Sequence, residues 1–197
     1  STIFVLSVAY SMSRMRFKMR KPFMNIAMII GLFPSFMSMI AVYYILRALN
    51  LADGAMIRVA LIIVFSAGSG AGFYVAKGFF DTISKSLDEA AIIDGATRWN
   101  GVTKITVPLS KPIIVYTILT SFMGPWVDFI FGKVICRADA QYYTVSIGLW
   151  KMLEKEYIDS WYTCFAAGAV VVSIPIAILF LMTQKFYVEG MTGAVKG

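Results

Sequence analysis

Glu89-Ala90-Ala91-Ile92-Ile93-Asp94-Gly95-Ala96, continuing through Ile105 to Pro108, is a polar island between long apolar runs. It does not itself lie in lipid, where each unsatisfied polar group costs several kcal/mol. Ser86 and Glu89 have capping-box spacing, Ala90 and Ala91 offer a small-residue face, and Gly95 supplies a turn. The stretch therefore reads as a compact helix-turn-helix, an object shaped to enter a cleft on another protein. Read alone, the same residues also describe an ordinary amphipathic surface helix that stops at a glycine.

The chain around the island has the composition of an integral membrane protein. Hydrophobic residues make up 59% of its 197 positions, charged residues only 15%, and mean hydropathy is +0.75. A soluble domain with that balance lacks the polar surface to cover itself. There is no histidine, and the two cysteines, Cys136 and Cys164, have no CxxC spacing. Histidine-ligated metal sites and histidine-based triads are thereby excluded, and no catalytic residue or metal ligand is expected. The net charge of +7 does not point to nucleic acid, because the bases sit beside apolar spans.

Residues 1–13 are apolar and uncharged but reach only about 20 Å as a helix, against roughly 30 Å of hydrocarbon. They read as the end of a span whose start precedes Ser1. Arg14, Arg16, Lys18, Arg20 and Lys21 follow without an acid among them, which the positive-inside rule places in the cytoplasm. Four complete spans are expected beyond them: 22–46 running outward with a kink at Pro34, 59–76 returning, 112–131 running outward with an interruption at Gly124-Pro125, and 161–183 returning. Residues 77–111 then form a cytoplasmic loop and 184–197 a cytoplasmic tail. That arrangement puts twelve bases inside and six outside. Gly68-Ser69-Gly70-Ala71-Gly72 invites a nucleotide-binding reading, but it lies in a lipid-length span, so Gly68 and Gly72 are expected to be a small-residue packing face.

The pattern Glu-Ala-Ala, three residues, Gly, nine residues, Ile, one residue, an aliphatic and Pro is present as Glu89-Ala90-Ala91, Gly95, Ile105 and Val107-Pro108. It resembles the signature loop of membrane subunits of binding-protein-dependent ABC importers. Val107 stands where that family usually has Leu, and Ser84 where a Pro is common before the loop. Lys77-Gly78-Phe79-Phe80-Asp81-Thr82-Ile83, Gly124-Pro125-Trp126-Val127-Asp128-Phe129 and the ending from Glu189 to Gly197 are similar to the carbohydrate-uptake branch, most closely the smaller membrane subunit of maltose and maltodextrin importers.

The resemblance implies an all-α fold, the polytopic transmembrane helix bundle of a type I ABC importer permease with a cytoplasmic helix-turn-helix coupling loop. It implies that Glu89, Ala90, Ala91, Asp94, Gly95, Ala96, Ile105 and Pro108 contact an ATPase subunit, and that Gly193, Val195, Lys196 and Gly197 of the tail do the same. The implied partners are two copies of an ABC ATPase subunit, a second homologous permease subunit, an extracytoplasmic sugar-binding protein and the lipid bilayer. This chain would bind no cofactor, with ATP and magnesium held on the partner ATPase, in keeping with the absence of a GxxxxGK[ST] run here. The implied setting is the bacterial cytoplasmic (inner) membrane, crossed several times, with the C-terminus in the cytoplasm.

Trp126 and Asp128 are candidates for a translocation path. An ionisable group within a span usually faces a cavity or a partner, and an indole can stack on a sugar face. The competing readings are a hydrated interfacial carboxylate and a membrane-interface tryptophan. The expected function is that of a permease subunit of an ATP-driven sugar importer, of maltose or a maltodextrin by resemblance, coupling ATPase closure to alternating access. A secondary transporter or channel would need a buried charge chain or inverted repeats, and Asp128 alone offers little; a structural membrane subunit stays open.

Overall fold

The computed structural model describes residues 1–32, 34–67, 70–137 and 139–194, and every regular element among them is helical. In chain order these are α1 (Thr2–Arg14), α2 (Arg20–Gly31), α3 (Ser35–Ala48), α4 (Met56–Ala67), α5 (Gly70–Thr82), α6 (Lys85–Ile93) and α7 (Arg98–Gly101). A π-helical turn, Val102–Thr106, leads to α8 (Val107–Leu109), α9 (Lys111–Val127) and α10 (Ile130–Cys136). A 3-10 turn at Ala140–Tyr142 precedes α11 (Val145–Lys151) and α12 (Ile158–Ala194).

The described helices pack around two cores. In the first, Val5, Ala9 and Met12 of α1 meet Phe73, Ala76 and Phe80 of α5, with Ile113 of α9 alongside. The spacings i, i+4, i+7 and i, i+3, i+7 each lay one stripe along a helix. Ala9 and Ala76 are fully buried, and a Cβ added at Gly72 would stand 3.8 Å from Val5 Cγ1. Small residues matter here because lipid is as apolar as leucine, so close packing rather than transfer from water holds the pair together. Gly72 thus has the packing role expected of it, while Gly68 lies outside the described residues. The second core joins Leu46 of α3, Ala52 of the following turn, Ile57 and Ala60 of α4, Ile135 and Cys136 of α10, and Ile147 of α11.

Two helical stretches, Met56–Thr82 and Ile158–Phe186, are each long and apolar enough to cross a membrane, and two bent pairs raise that to four if each pair is one span. The segment 22–46, expected as one kinked helix, is two helices. Arg20–Gly31 and Phe36–Ala48 meet at 108°, with Pro34 extended at φ −54°, ψ 126° before α3. Pro34 therefore breaks the helix instead of bending it: its ring bars the backbone hydrogen bond a continuous helix needs. Gly124-Pro125 shows the opposite outcome. Helix α9 runs through both and ends at Val127, because Asp128 is extended at φ −67°, ψ 126°. The interruption expected at Gly124-Pro125 is displaced to Asp128, and the expected span 112–131 is cut there. The tail expected from 184 continues α12 to Ala194, a 37-residue helix about 55 Å long.

Candidate functional site

Residues 84–110 form the connection between the first core and α9. Helix α6 starts two residues earlier than the capping-box spacing indicates. Its N-cap is Ser84, whose Oγ accepts the backbone N–H of Ser86 at 3.3 Å and lies 2.7 Å from Ser86 Oγ. Ser86 is inside the helix, so Ser86 and Glu89 do not form the box. The C-terminus closes by a Schellman arrangement: the N–H of Ala96 donates to Ala91 O at 2.8 Å and that of Gly95 to Ile92 O at 3.0 Å. Gly95 takes φ +78°, the left-handed conformation that a Cβ penalises. The turn is followed at once by Thr97, which caps α7 by accepting the N–H of Asn100 at 3.2 Å.

Beyond α7 the chain widens into the π turn, which sequence pattern did not indicate. Pro108 has no N–H for the carbonyl of Lys104, and its ring would crowd that carbonyl; a wider turn before it relieves both problems. Thr106 and Ser110 are buried on the inner side, and Ser110 Oγ donates to Thr106 O at 2.6 Å. The chain then bends by 78° into α9.

Glu89, Ala90, Asp94, Gly95 and Pro108 are exposed, Ala96 and Ile105 half-buried, and Ala91 buried. Ala90 and Ala91 therefore do not make one outward small-residue face, since neighbours on a helix stand about 100° apart. The large side chains left exposed there are aliphatic and aromatic instead: Ile92 is 64% exposed, Ile93 84% and Trp99 73%. Two consecutive isoleucines inside a polar island were the visible signal for it.

The segment is fastened to the bundle by Arg14. Its side chain is only 6% exposed; Nη2 donates to Phe80 O at 3.0 Å and to Ile83 O at 2.8 Å, and Nη1 lies 2.9 Å from Asp88 Oδ2 on α6. Beside it Ser13 Oγ donates to Asp81 Oδ1 at 2.6 Å, and Lys77 pairs with the other carboxylate oxygen of Asp81. Read from sequence as one of five topology-setting bases, Arg14 is a buried structural cation.

The two candidate path residues fall in different places. Asp128 lines a cavity of about 480 Å³ together with Tyr116, Thr117, Thr120, Ser121 and Phe131. Its Oδ1 also accepts the N–H of Gly132 at 2.8 Å, tying down the first turn of α10. Trp126 is not among the residues lining that cavity. Its indole N–H donates to Val172 O of α12 at 3.2 Å and its ring stacks on Phe122 with centroids 5.1 Å apart. Of the tail, Gly193 lies in the last turn of α12, and Val195, Lys196 and Gly197 lie outside the described residues.

Residues 3–191 match the family described as the binding-protein-dependent transport system inner membrane component. The chain belongs to this family. Among its relatives, the galactooligosaccharides transport system permease protein GanQ of Bacillus subtilis is 35% identical over 199 residues, covering 100% of this chain and 69% of GanQ. The maltose/maltodextrin transport system permease protein MalG of Vibrio vulnificus is 33% identical over 198 residues, and that of Escherichia coli 32% over 193, each covering 96% of this chain. The chain spans 64% of the length of these MalG proteins. It is thus a helical membrane permease of the binding-protein-dependent type that its loop pattern indicated. Within the matched residues, 84–110 hold the Glu89-Ala90-Ala91, Gly95 and Pro108 pattern, and Ile92, Ile93 and Trp99 are exposed on this segment.

Proposed function

We propose that this permease works in an ATP-driven importer of an oligosaccharide, maltose or a maltodextrin in the first instance, and that residues 84–110 transmit the movement of an ATPase subunit to the membrane helices. The supporting observation is the exposed Ile92, Ile93 and Trp99 surface on a doubly capped, positive-φ turn. An apolar patch on a polar segment is a surface that a partner covers. The rigidity of its support lets it act as a lever, since a population shift passes only through an element with discrete positions. Two ATPase copies, holding ATP and magnesium, would dock on it and on its counterpart in a second permease subunit. An extracytoplasmic binding protein would deliver the sugar, and the C-terminus would lie with the ATPase on the cytoplasmic side. Relatives that handle maltodextrins and galactooligosaccharides make a short oligosaccharide the cargo class.

The test is ATP hydrolysis by the complex in lipid nanodiscs, with and without sugar-loaded binding protein. Stimulation by the loaded protein, lost in Gly95→Pro, is the expected result. An intact complex that no sugar-loaded partner stimulates would overturn the reading in favour of a channel or a structural subunit.

A further inference from the structure

We propose that Arg14 is the positioning residue that makes the coupling helix α6 move as one body with α1 and α5. The proposal rests on the functional reading above, and it concerns how force leaves α6 after a partner has moved it.

Three elements meet at one guanidinium. Helix α1 carries it, α5 offers the carbonyl of Phe80, the joint that follows offers that of Ile83, and α6 offers Asp88. The last carbonyls of a helix have no intrahelical donor and form the negative end of its dipole, so a cation there satisfies two needs at once. The covalent link from α5 to α6 is only Ile83-Ser84, with Ser84 extended at φ −58°, ψ 131°. Rotation about so short a joint would swing α6 without disturbing α5. A planar fork of donors spanning both sides of the joint prevents that rotation, which a single ammonium could not do.

Topology does not account for this placement. Arg16, Lys18 and Lys21 are exposed and Arg20 half-buried, and any of them serves a charge rule; only Arg14 of the five is drawn into the protein. Its surroundings are also specific. The Asp88 contact lies off the N–H axes of Nη1, and Nε has no hydrogen-bond partner among the described residues, so charge pairing holds α6 and directed bonds hold α5. The neighbouring Ser13, Asp81 and Lys77 contacts fasten α1 to α5 but do not reach α6. The link to α6 can therefore be cut alone.

The experiment compares the parent with Arg14→Met, Asp88→Asn and Ser13→Ala in the nanodisc complex, reading sugar transported per ATP hydrolysed. Nitroxides at Val75→Cys on α5 and Leu87→Cys on α6, in a Cys164→Ser background, report the distance across the joint in separate samples. In the parent that distance is narrow and unchanged by ATP. In Arg14→Met and Asp88→Asn it broadens or shifts on ATP binding, and transport per ATP falls about tenfold, inside the roughly 5- to 150-fold range of allosteric couplings. Ser13→Ala leaves the distance unchanged, and Arg14→Lys falls between parent and Arg14→Met. Asp88→Asn keeps both carbonyl bonds of Arg14, so it decides the matter should Arg14→Met fail to assemble. A narrow, ATP-independent distance in Asp88→Asn, or parental transport per ATP, overturns the proposal. Should the parent complex show no stimulated hydrolysis, the functional reading fails, while the distance in the membrane-embedded chain still decides the clamp.

Discussion

Residues 84–110 and 128–153 are built alike, each a run of short helices between two longer ones, with side-chain oxygens capping helix ends. In 128–153 Ile135, Cys136 and Ile147 turn inward and are buried against α3 and α4, while Ile130 and Trp150 stay about half exposed. The hydroxyl of Ser146 closes the end of α9 by donating to Trp126 O at 2.9 Å. In 84–110 the residues turned inward are Ala91, Thr106 and Ser110, small or polar, while Ile92, Ile93 and Trp99 point away. The same construction thus closes its central apolar side chains against its own chain in one case and leaves its most exposed ones, Ile93 and Trp99, uncovered in the other. Fully burying an isoleucine is worth about 1.5–3 kcal/mol, enough that an exposed pair beside a tryptophan is the natural seat of a partner.

The largest break in that contrast comes at the turn that holds the uncovered face. Gly95→Pro removes the N–H that donates to Ile92 O and demands φ near −65° where the chain has +78°. The turn cannot form, and transport is expected to fall to background in a vesicle uptake assay. Gly95→Ala is far milder. Nothing lies within 4 Å of an added Cβ, so only the left-handed backbone is penalised, by about 1–2 kcal/mol. Its uptake should fall severalfold without vanishing, and parental uptake by the proline variant would show that the turn does not matter.

The second break exchanges the sites. Ile135→Ala should cost about 2–5 kcal/mol of stability, as a truncation in a closed core does. Ile93→Ala should leave stability within about 0.5 kcal/mol but weaken ATPase binding by about 1–2 kcal/mol. Thermal unfolding and ATPase titration of the same two nanodisc samples read both numbers. A stability loss in Ile93→Ala equal to that of Ile135→Ala would erase the contrast.

Sequence showed much of one segment and little of the other. Gly95 as the turn of 84–110 was legible because a glycine after an aliphatic run has few other uses. Ser84 as the cap was not, since Ser86 has the better box spacing with Glu89, and the choice between two serines depends on where α5 ends. Pro34 and Pro125 carry the same chemistry, yet one breaks a helix and the other does not; neighbours elsewhere in the chain decide. Arg14 was seen only as charge. Its partner Asp88 is 74 positions away, and no local pattern joins them. Nor does the local sequence of 128–153 show that Ile135 and Ile147 meet Leu46 and Ile57, whereas Trp126 and Asp128 stand out by residue type alone.

A smaller effect sharpens the comparison through glycine. A Cβ at Gly132 would stand 3.2 Å from Ile147 Cδ1 and 3.3 Å from Thr144 Cγ2, while nothing lies within 4 Å of one at Gly101. Ile147 is itself buried and has little room to retreat. Gly132→Ala should therefore lose roughly 1 kcal/mol despite alanine's higher helix propensity, and Gly101→Ala, already helical at φ −57°, should gain up to about 1 kcal/mol. Unfolding of the two variants by denaturant gives the signs directly; equal signs would mean that the two segments are packed to the same density.

The smallest perturbation is a proton. Burial, with the nearby Asp139 carboxylate adding to it, pushes the Cys136 thiol above its ordinary pKa, and Sγ lies 3.0 Å from Tyr142 O as a donor. Because the folded value is raised, the stability it contributes is fully present below the ordinary thiol pKa and is lost as pH rises through the folded value. In a Cys164→Ser background, maleimide should leave Cys136 unmodified at neutral pH and begin to react only in alkali, as the thiolate forms and the segment loosens. A reporter at Ile93→Cys in the other segment should react at neutral pH straight away, and slow when the ATPase is added. Rapid neutral labelling of Cys136 would mean that 128–153 is open. Undiminished labelling at position 93 in the assembled complex would mean that the exposed face of 84–110 is not where the ATPase docks.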